Sequence, residues 1–262
     1  MNKSMNTNEI IINDKLTVTN KRSYLCVVMP AYNEGQQIKD NLLYASRTLS
    51  KFIKNYQIIA VNDGSSDDTK AGIMEAAVLD PKISYISYPA NKGKGHAICT
   101  GVKYADAEYI AFLDSDMELD PSMLRYFLKA LQATDADIAI GSKMHHDSKL
   151  DYPLSRKIIS LGYFIILKLL FNLNLKDTQT GIKLFKEDVI KPICAGISTD
   201  GFAFDIEILA TAASKGCKIL ELPVTLKYSR RSGSKSKVSL KQIFRVFRDT
   251  IRIKRELKKK KS

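Results

Sequence analysis

Tyr24-Leu-Cys-Val-Val-Met29, followed at once by Pro30-Ala-Tyr-Asn-Glu34, sets the reading of the whole chain. A short apolar run with β-branched residues that stops at a proline has the character of a strand buried on both faces. The same signature returns at Tyr56 to Val61, Ile83 to Tyr88 and Tyr109 to Leu113. Between these runs, helical patterns cover Gln36 to Phe52, Asp68 to Leu79 and Gly95 to Tyr104. The resulting β-α-β-α-β-α-β order predicts an α/β fold with a mostly parallel sheet and helices on both faces.

Further along, Met123 to Ala133 reads as a helix and Asp137 to Gly141 as a fifth strand, after which the alternation degrades. A short apolar run, Ile182 to Phe185, follows the turn at Thr180-Gly181, and a helix is expected from about Ala203 to Lys215. At 262 residues and 45% hydrophobic content, one α/β domain with an appendage is the simplest organisation. The excess of 41 Lys and Arg over 28 Asp and Glu, a formal charge of +13, points to an anionic partner: nucleic acid, a phosphorylated substrate or acidic lipid. Cys26, Cys99, Cys194 and Cys217 lack metal-ligand spacing and read as reduced thiols, as expected of a cytosolic compartment. His145 and His146 read as a solvated pair in a polar loop.

Parallel sheets bind ligands outside the carboxyl ends of their strands. Three polar loops fall there: Pro30 to Glu34, Asn62-Asp-Gly-Ser-Ser-Asp-Asp-Thr69 and Asp114-Ser-Asp116-Met-Glu118. Asp114 and Asp116 leave the sheet edge directly after a strand, with Glu118 able to return toward the same point, and oxygen clusters of this kind suit Mg2+ or Mn2+. By itself Asp-x-Asp is also a common surface turn. In the second loop Gly64 permits a tight turn and Asp67 or Asp68 suits helix capping, while Asp63 is placed to accept hydrogen bonds from a nucleobase or ribose.

Together these loops resemble the family 2 glycosyltransferases of the GT-A fold, whose pattern runs P-x-Y-N-E, D-D-G-S-S-D-x-T and D-x-D. The resemblance spans roughly Tyr24 to Tyr228, with Asn62 standing where the family has Asp. Within the family, Asn91-Lys-Gly-Lys-Gly95, Asp177-Thr-Gln-Thr-Gly-Ile-Lys-Leu-Phe185 and Gly201-Phe-Ala-Phe-Asp-Ile-Glu-Ile-Leu209 look like the dolichyl-phosphate glucosyltransferases and mannose synthases, the first two leaning to the former. The resemblance implies that Pro30, Tyr32, Glu34, Val61 and Asp63 line a nucleoside pocket. It puts Asp114, Ser115, Asp116 and Glu118 at metal and diphosphate, and Arg231 and Lys237, with Arg230 as the alternative register, on the donor phosphates. Lys143, Arg156 and Ser160 match positions that hold the acceptor phosphate, with Lys143 where the family commonly has Arg, a point charge in place of a fork.

The same resemblance implies an inverting hexosyltransferase using Mg2+ or Mn2+, a nucleotide-sugar donor (UDP-glucose favoured over GDP-mannose) and a polyprenyl phosphate acceptor. A phosphate monoester, with a second pKa near ~6, is already largely an anionic nucleophile at neutral pH and needs no base. A hydroxyl acceptor would instead require Asp205 or Glu207 as base. A catalytically silent nucleotide-sugar or RNA binder would account for the charge but not for the Asp-x-Asp set. A processive synthase is disfavoured, because the chain has no Trp for a Q-x-x-R-W motif.

The expected organisation is a flexible arm over 1–20, a GT-A catalytic domain over 21–238 containing an apolar interfacial segment at 154–175, and a basic amphipathic helix over 239–262. Ile158 to Leu175 is the most apolar stretch, but Ser160, Gly162, Lys168, Asn172 and Asn174 interrupt it below the ~18 uninterrupted residues a spanning helix needs. With Ile243, Phe244, Val246, Phe247, Ile251 and Leu257 set among Arg and Lys, the C-terminal helix suits an anionic membrane surface. The expected location is the cytoplasmic face of a membrane, peripheral or monotopic, with no nucleic-acid partner.

Overall fold

The structure, a computed structural model, describes residues 10–13, 22–148, 168, 170–171, 173–201, 203–226, 248 and 250–256. A two-residue strand, β1 (Ile11–Ile12), comes first. The opening apolar run becomes β2 (Ser23–Ala31), followed by α1 (Gln37–Leu49), β3 (Tyr56–Asp63), α2 (Thr69–Leu79), β4 (Ile83–Tyr88), α3 (Lys94–Tyr104) and β5 (Ala107–Leu113). Each strand from β2 to β5 lies within two residues of its expected span at either end. After a short 3-10 turn at Pro121–Met123 come α4 (Leu124–Thr134), β6 (Ile138–Ser142), β7 (Ile182–Lys186), α5 (Glu187–Ala195), α6 (Phe204–Ser214) and β8 (Ile219–Pro223).

One sheet results, in the order β1-β4-β3-β2-β5-β7-β6-β8. Successive side chains of a strand point to opposite faces. Leu25, Val27 and Met29 therefore join a core with α1, α2 and α4, while Cys26 and Val28 join a second core with α3, α5 and α6. The chain grows from β2 outward to β3 and β4, then returns to the other side of β2 as β5. The loops after β2 and β5 diverge at that reversal and leave a crevice between them.

One sequence expectation changes, and the pairing of the later strands adds what the sequence left open. Residues 1–20 do not form a loose arm throughout, because Ile11 and Ile12 pair antiparallel with β4, Ile11 opposite Ser87; two β-branched residues suffice to cover part of an exposed edge. The fifth strand is not β5's neighbour. β7 inserts between them and runs antiparallel to both, which makes the sheet mixed and leaves β6 parallel to β5. The unread elements are β8, half-exposed along most of its length, and α5, whose Pro192 hides a short helix from a pattern search.

Of the apolar segment over 154–175, the described end packs inward: Leu173 and Leu175 are buried in the second core, and Phe171 lies against Ile253. Residues 250–256 are helical, with Thr250 and Ile253 buried against the α6 side of the molecule. Ile243 to Phe247 and Leu257 lie outside the described residues. Among the described residues no helix is long and apolar enough to cross a membrane.

Candidate active site at the carboxyl edge of the sheet

The first two loops are laced to each other. Asn33 and Gly35 take positive φ angles of 55° and 61°, which turn three successive backbone N–H groups toward the second loop. Asn33 N donates to Ser65 Oγ (3.0 Å), Glu34 N to Thr69 Oγ1 (2.8 Å) and Gly35 N to Asp67 Oδ2 (2.9 Å). Asp67 also accepts from Thr69 N at 3.0 Å, so of the two capping candidates Asp67 closes the first turn of α2. Burial would raise its pKa, but the Thr69 hydroxyl and backbone N–H groups outweigh it and hold the carboxyl below the ordinary Asp range. Gly64 is obligatory: at φ +65° a Cβ would sit 2.3 Å from the backbone of Ala90.

Asn62, the departure from the family pattern, donates to Ser87 Oγ (2.9 Å) and accepts from Ser65 N (3.2 Å), a structural post. Asp63 is buried, and its carboxylate takes Tyr88 OH (2.8 Å), Lys92 N (2.8 Å), Asn91 Nδ2 (2.9 Å) and Gly93 N (3.0 Å). Those protein donors fill its acceptor positions. Its observed work is to fold the Asn91-Lys92-Gly93 turn. Val61 is likewise a core residue, fully buried with its side chain beside Gly101 of α3, and does not reach a pocket surface. Pro30 is buried at the end of β2, whereas Tyr32 is 48% exposed over the crevice edge.

The loop after β5 is different. Asp114 N donates to Gly181 O (3.1 Å), and the Asp114 carboxylate pairs with Lys94 Nζ at 2.5 Å. Asn41 Nδ2 holds Ser115 O at 2.8 Å, and Met117, at φ 57°, turns the chain and packs on the core below. Asp116 accepts Glu118 N at 3.0 Å. Although solvent reaches Asp116, the walls of the crevice desolvate it and the Asp114 and Glu118 carboxylates repel its charge, which pushes its pKa up to about 6. Burial, then Asp116 and Asp114, raise Glu34 in the same way. Burial opposes the charge on Lys94, but Asp114, Asp205 and Asp116 outweigh it and hold the ammonium protonated.

The site is thus a group of carboxylates with surplus negative charge. That surplus fits a divalent cation, which takes one or two carboxylates plus substrate oxygens. Asp114, Asp116 and Glu118 do not converge tightly by themselves. Among the described residues the convergent group is His145, His146 and Asp147, exposed neighbours whose ligand atoms lie within 4.8 Å of one another, with the two imidazole rings stacked at 4.4 Å.

Because β6 is parallel to β5, its carboxyl end brings Lys143 to the same edge, where Lys143 N donates to Asp177 Oδ2 at 2.9 Å. Arg156, Ser160, Arg230, Arg231 and Lys237 lie outside the described residues. Asp205 and Glu207, the candidate bases, are buried and committed. Lys183 Nζ donates to Asp205 at 2.6 Å, and Glu207 accepts Ser198 N (3.1 Å) and Thr199 N (3.0 Å). Sequence reasoning missed Lys94 and Lys183 as site components. The signal for Lys183 was a cation within an otherwise apolar strand, Ile182-Lys-Leu-Phe185.

The fold is the GT-A fold, an α/β class built on a mixed sheet of this kind. Glucosyl-3-phosphoglycerate synthase from Mycobacterium tuberculosis, solved with uridine diphosphate, matches with a TM-score of 0.63 at 15% identity over 90% of this chain and 80% of that one. The Pyrobaculum calidifontis mannosyltransferase solved with GDP-mannose and Mn2+ matches at 0.54 and 15% identity, over 81% of this chain and 59% of that one. The chain belongs to glycosyl transferase family 2, whose profile matches residues 26–194, and it is a glycosyltransferase. It is 34% identical over 225 residues to a dolichyl-phosphate beta-glucosyltransferase of Trichomonas vaginalis, covering 82% of this chain and 69% of the relative. With the Saccharomyces cerevisiae enzyme of the same description it shares 29% identity, over 84% of this chain and 71% of the relative.

Proposed function

We propose that the protein transfers glucose from UDP-glucose to a polyprenyl phosphate of the dolichyl type, with inversion at the anomeric carbon. The observation that carries this reading is the commitment of Asp205 and Glu207: each is buried and held by protein donors, so neither carboxylate of that motif is free to deprotonate a hydroxyl. A phosphate monoester needs no such base. The names of the relatives on both sides of 30% identity support the same acceptor and sugar.

In this reading Pro30, Tyr32 and Glu34 face the nucleoside, and Asp63 orders the turn beside them. Asp114 and Asp116, with Glu118 nearby, hold Mg2+ or Mn2+, which when bound neutralises charge on the departing diphosphate. Ser115 braces Glu34, and Lys94, Arg231 or Arg230, and Lys237 supply the cations facing the donor phosphates. Lys143, Arg156 and Ser160 hold the acceptor phosphate. An acceptor oxygen forms the new bond to the anomeric carbon, and the electrons of the broken sugar–oxygen bond leave with UDP. Catalysis then rests on positioning and fixed charge. The segment at 154–175, short of its buried end at Leu173 and Leu175, and the basic residues of 239–262 meet the bilayer that carries the acceptor, from its cytoplasmic side.

Incubating the full chain with radiolabelled UDP-glucose, UDP-N-acetylglucosamine or GDP-mannose and polyprenyl phosphate, with and without Mg2+ or Mn2+, tests the proposal. Metal-dependent label in an organic-extractable product from UDP-glucose is expected. Label that appears only on a soluble hydroxyl acceptor would overturn it.

A further inference from the structure

The Lys183 ammonium is an unusual tenant for the middle of a sheet. It sits on β7 between Phe112 of β5 and Ile140 of β6, and its side chain and that of Asp205 are 3% and 6% exposed. Lys183 Nζ donates to Asp205 Oδ1 at 2.6 Å and to the Thr180 carbonyl at 2.7 Å. Burying such a pair brings a desolvation penalty that its mutual attraction often only offsets, and apolar residues of similar volume are commonly as stable or more so. Stability alone does not explain it. What an apolar pair lacks is the hydrogen bond to Thr180.

That carbonyl belongs to the turn that backs the Asp-x-Asp loop. The next residue, Gly181, accepts Asp114 N at 3.1 Å and lies so close that a Cβ there would stand 2.1 Å from Asp114 Oδ2. On its other side the Asp114 carboxylate meets Lys94 Nζ. We propose that the buried Lys183–Asp205 pair is a positioning device for the donor site: it locks the Thr180–Gly181 turn, and the turn fixes where the Asp114 carboxylate stands. Asp205 acts through Lys183, with a further electrostatic pull on Lys94, and touches no reacting atom. The inference rests on the assignment of Asp114 to the donor and metal site. A displacement of ~1 Å at such a group lowers rate by about 100-fold, so a rigid backing has a functional use.

The test compares Lys183→Met, Asp205→Asn, the double variant Lys183→Met/Asp205→Leu, and Lys183→Arg. Measured for each are thermal unfolding, Mn2+ affinity in the presence of UDP by electron paramagnetic resonance, and kcat and KM for both substrates. The apolar double variant is expected to unfold cooperatively at or above the parent temperature, with Mn2+ affinity about tenfold weaker, kcat 10- to 100-fold lower and KM for polyprenyl phosphate unchanged. The single variants should lose kcat to a similar degree and non-additively, as for residues acting as one unit, with Lys183→Arg partly restoring it.

Parent-like metal affinity and kcat in the folded double variant would overturn the inference. So would abolished transfer in Asp205→Asn beside an active Lys183→Met, the pattern of a catalytic base. If the double variant does not fold, Mn2+ affinity and kcat in the folded single variants decide: parent-like values in Lys183→Met and Asp205→Asn overturn the inference, and parallel losses that Lys183→Arg partly restores support it. Asp114→Asn is the separating control: unchanged Mn2+ affinity there would fault the site assignment rather than the positioning device.

Discussion

Two aspartates leave neighbouring parts of the same sheet edge and end in opposite states. Asp63, after β3, is buried and accepts from four protein donors, so the chain itself satisfies its charge. Asp116, after β5, has one backbone donor in Glu118 N and faces the carboxylates of Asp114, Glu118 and Glu34. A carboxylate surrounded by donors is finished structure, and one surrounded by carboxylates carries charge that the chain leaves uncompensated. Residue type and position on the edge do not separate the two cases. Only their partners do.

Asp116→Ala breaks the comparison on the open side. It is expected to lower transfer by 10²- to 10³-fold, about 3–4 kcal/mol of barrier, with the metal-free melting temperature unchanged or raised because a source of repulsion is gone. Label-transfer assays and thermal melts read the two halves of that statement. On the closed side, Asp63→Ala leaves Tyr88 OH, Asn91 Nδ2 and two backbone N–H groups without their acceptor. Urea unfolding should show a loss of about 3 kcal/mol. Gly64→Ala tests the same turn from the backbone, since the left-handed φ and the contact with Ala90 both oppose a methyl group. A loss of about 2 kcal/mol is expected by the same method.

Asp137 supplies the mildest case, at the opposite, amino edge of the sheet. It accepts Lys218 N at 2.9 Å and Lys186 Nζ at 3.0 Å. Burial would raise its pKa, but those two partners outweigh it and hold the carboxyl below the ordinary Asp range. The unfolded chain therefore binds the proton more readily than the folded one, so this stabilisation is full above the ordinary Asp pKa and is lost as pH falls through the depressed value. Asp137→Asn should lower stability by about 1 kcal/mol at pH 7, and the gap from the parent should close on acidification below about pH 4. A gap that widened in acid would reverse the assignment.

Much of this was legible in the chain before it folded. The runs ending at Pro30, Asn62 and Asp114 announced strands whose carboxyl ends carry polar loops, and the helical patterns between them required parallel crossovers. Gly64 announced its turn, because only a residue without Cβ tolerates that backbone. The order of the Pro30, Asn62 and Asp114 loops announced the family. These features are local: each depends on residues within one turn or one strand of each other, and periodicity and steric limits act at that range.

Tertiary structure decided what depends on partners distant in sequence. That β7 enters between β5 and β6 follows from pairing across the chain, Phe112 with Lys183 and Ile140 with Lys183, which no run of apolar residues specifies. That Asp63 is satisfied and that Asp205 is held by Lys183 rather than poised as a base depends on groups brought from 22 to 30 residues away, and Val61 is core because α3 packs on it from further still. Sequence places an ionisable group on an element, but its charge state and freedom are set by the atoms that surround it, and only folding brings those atoms together.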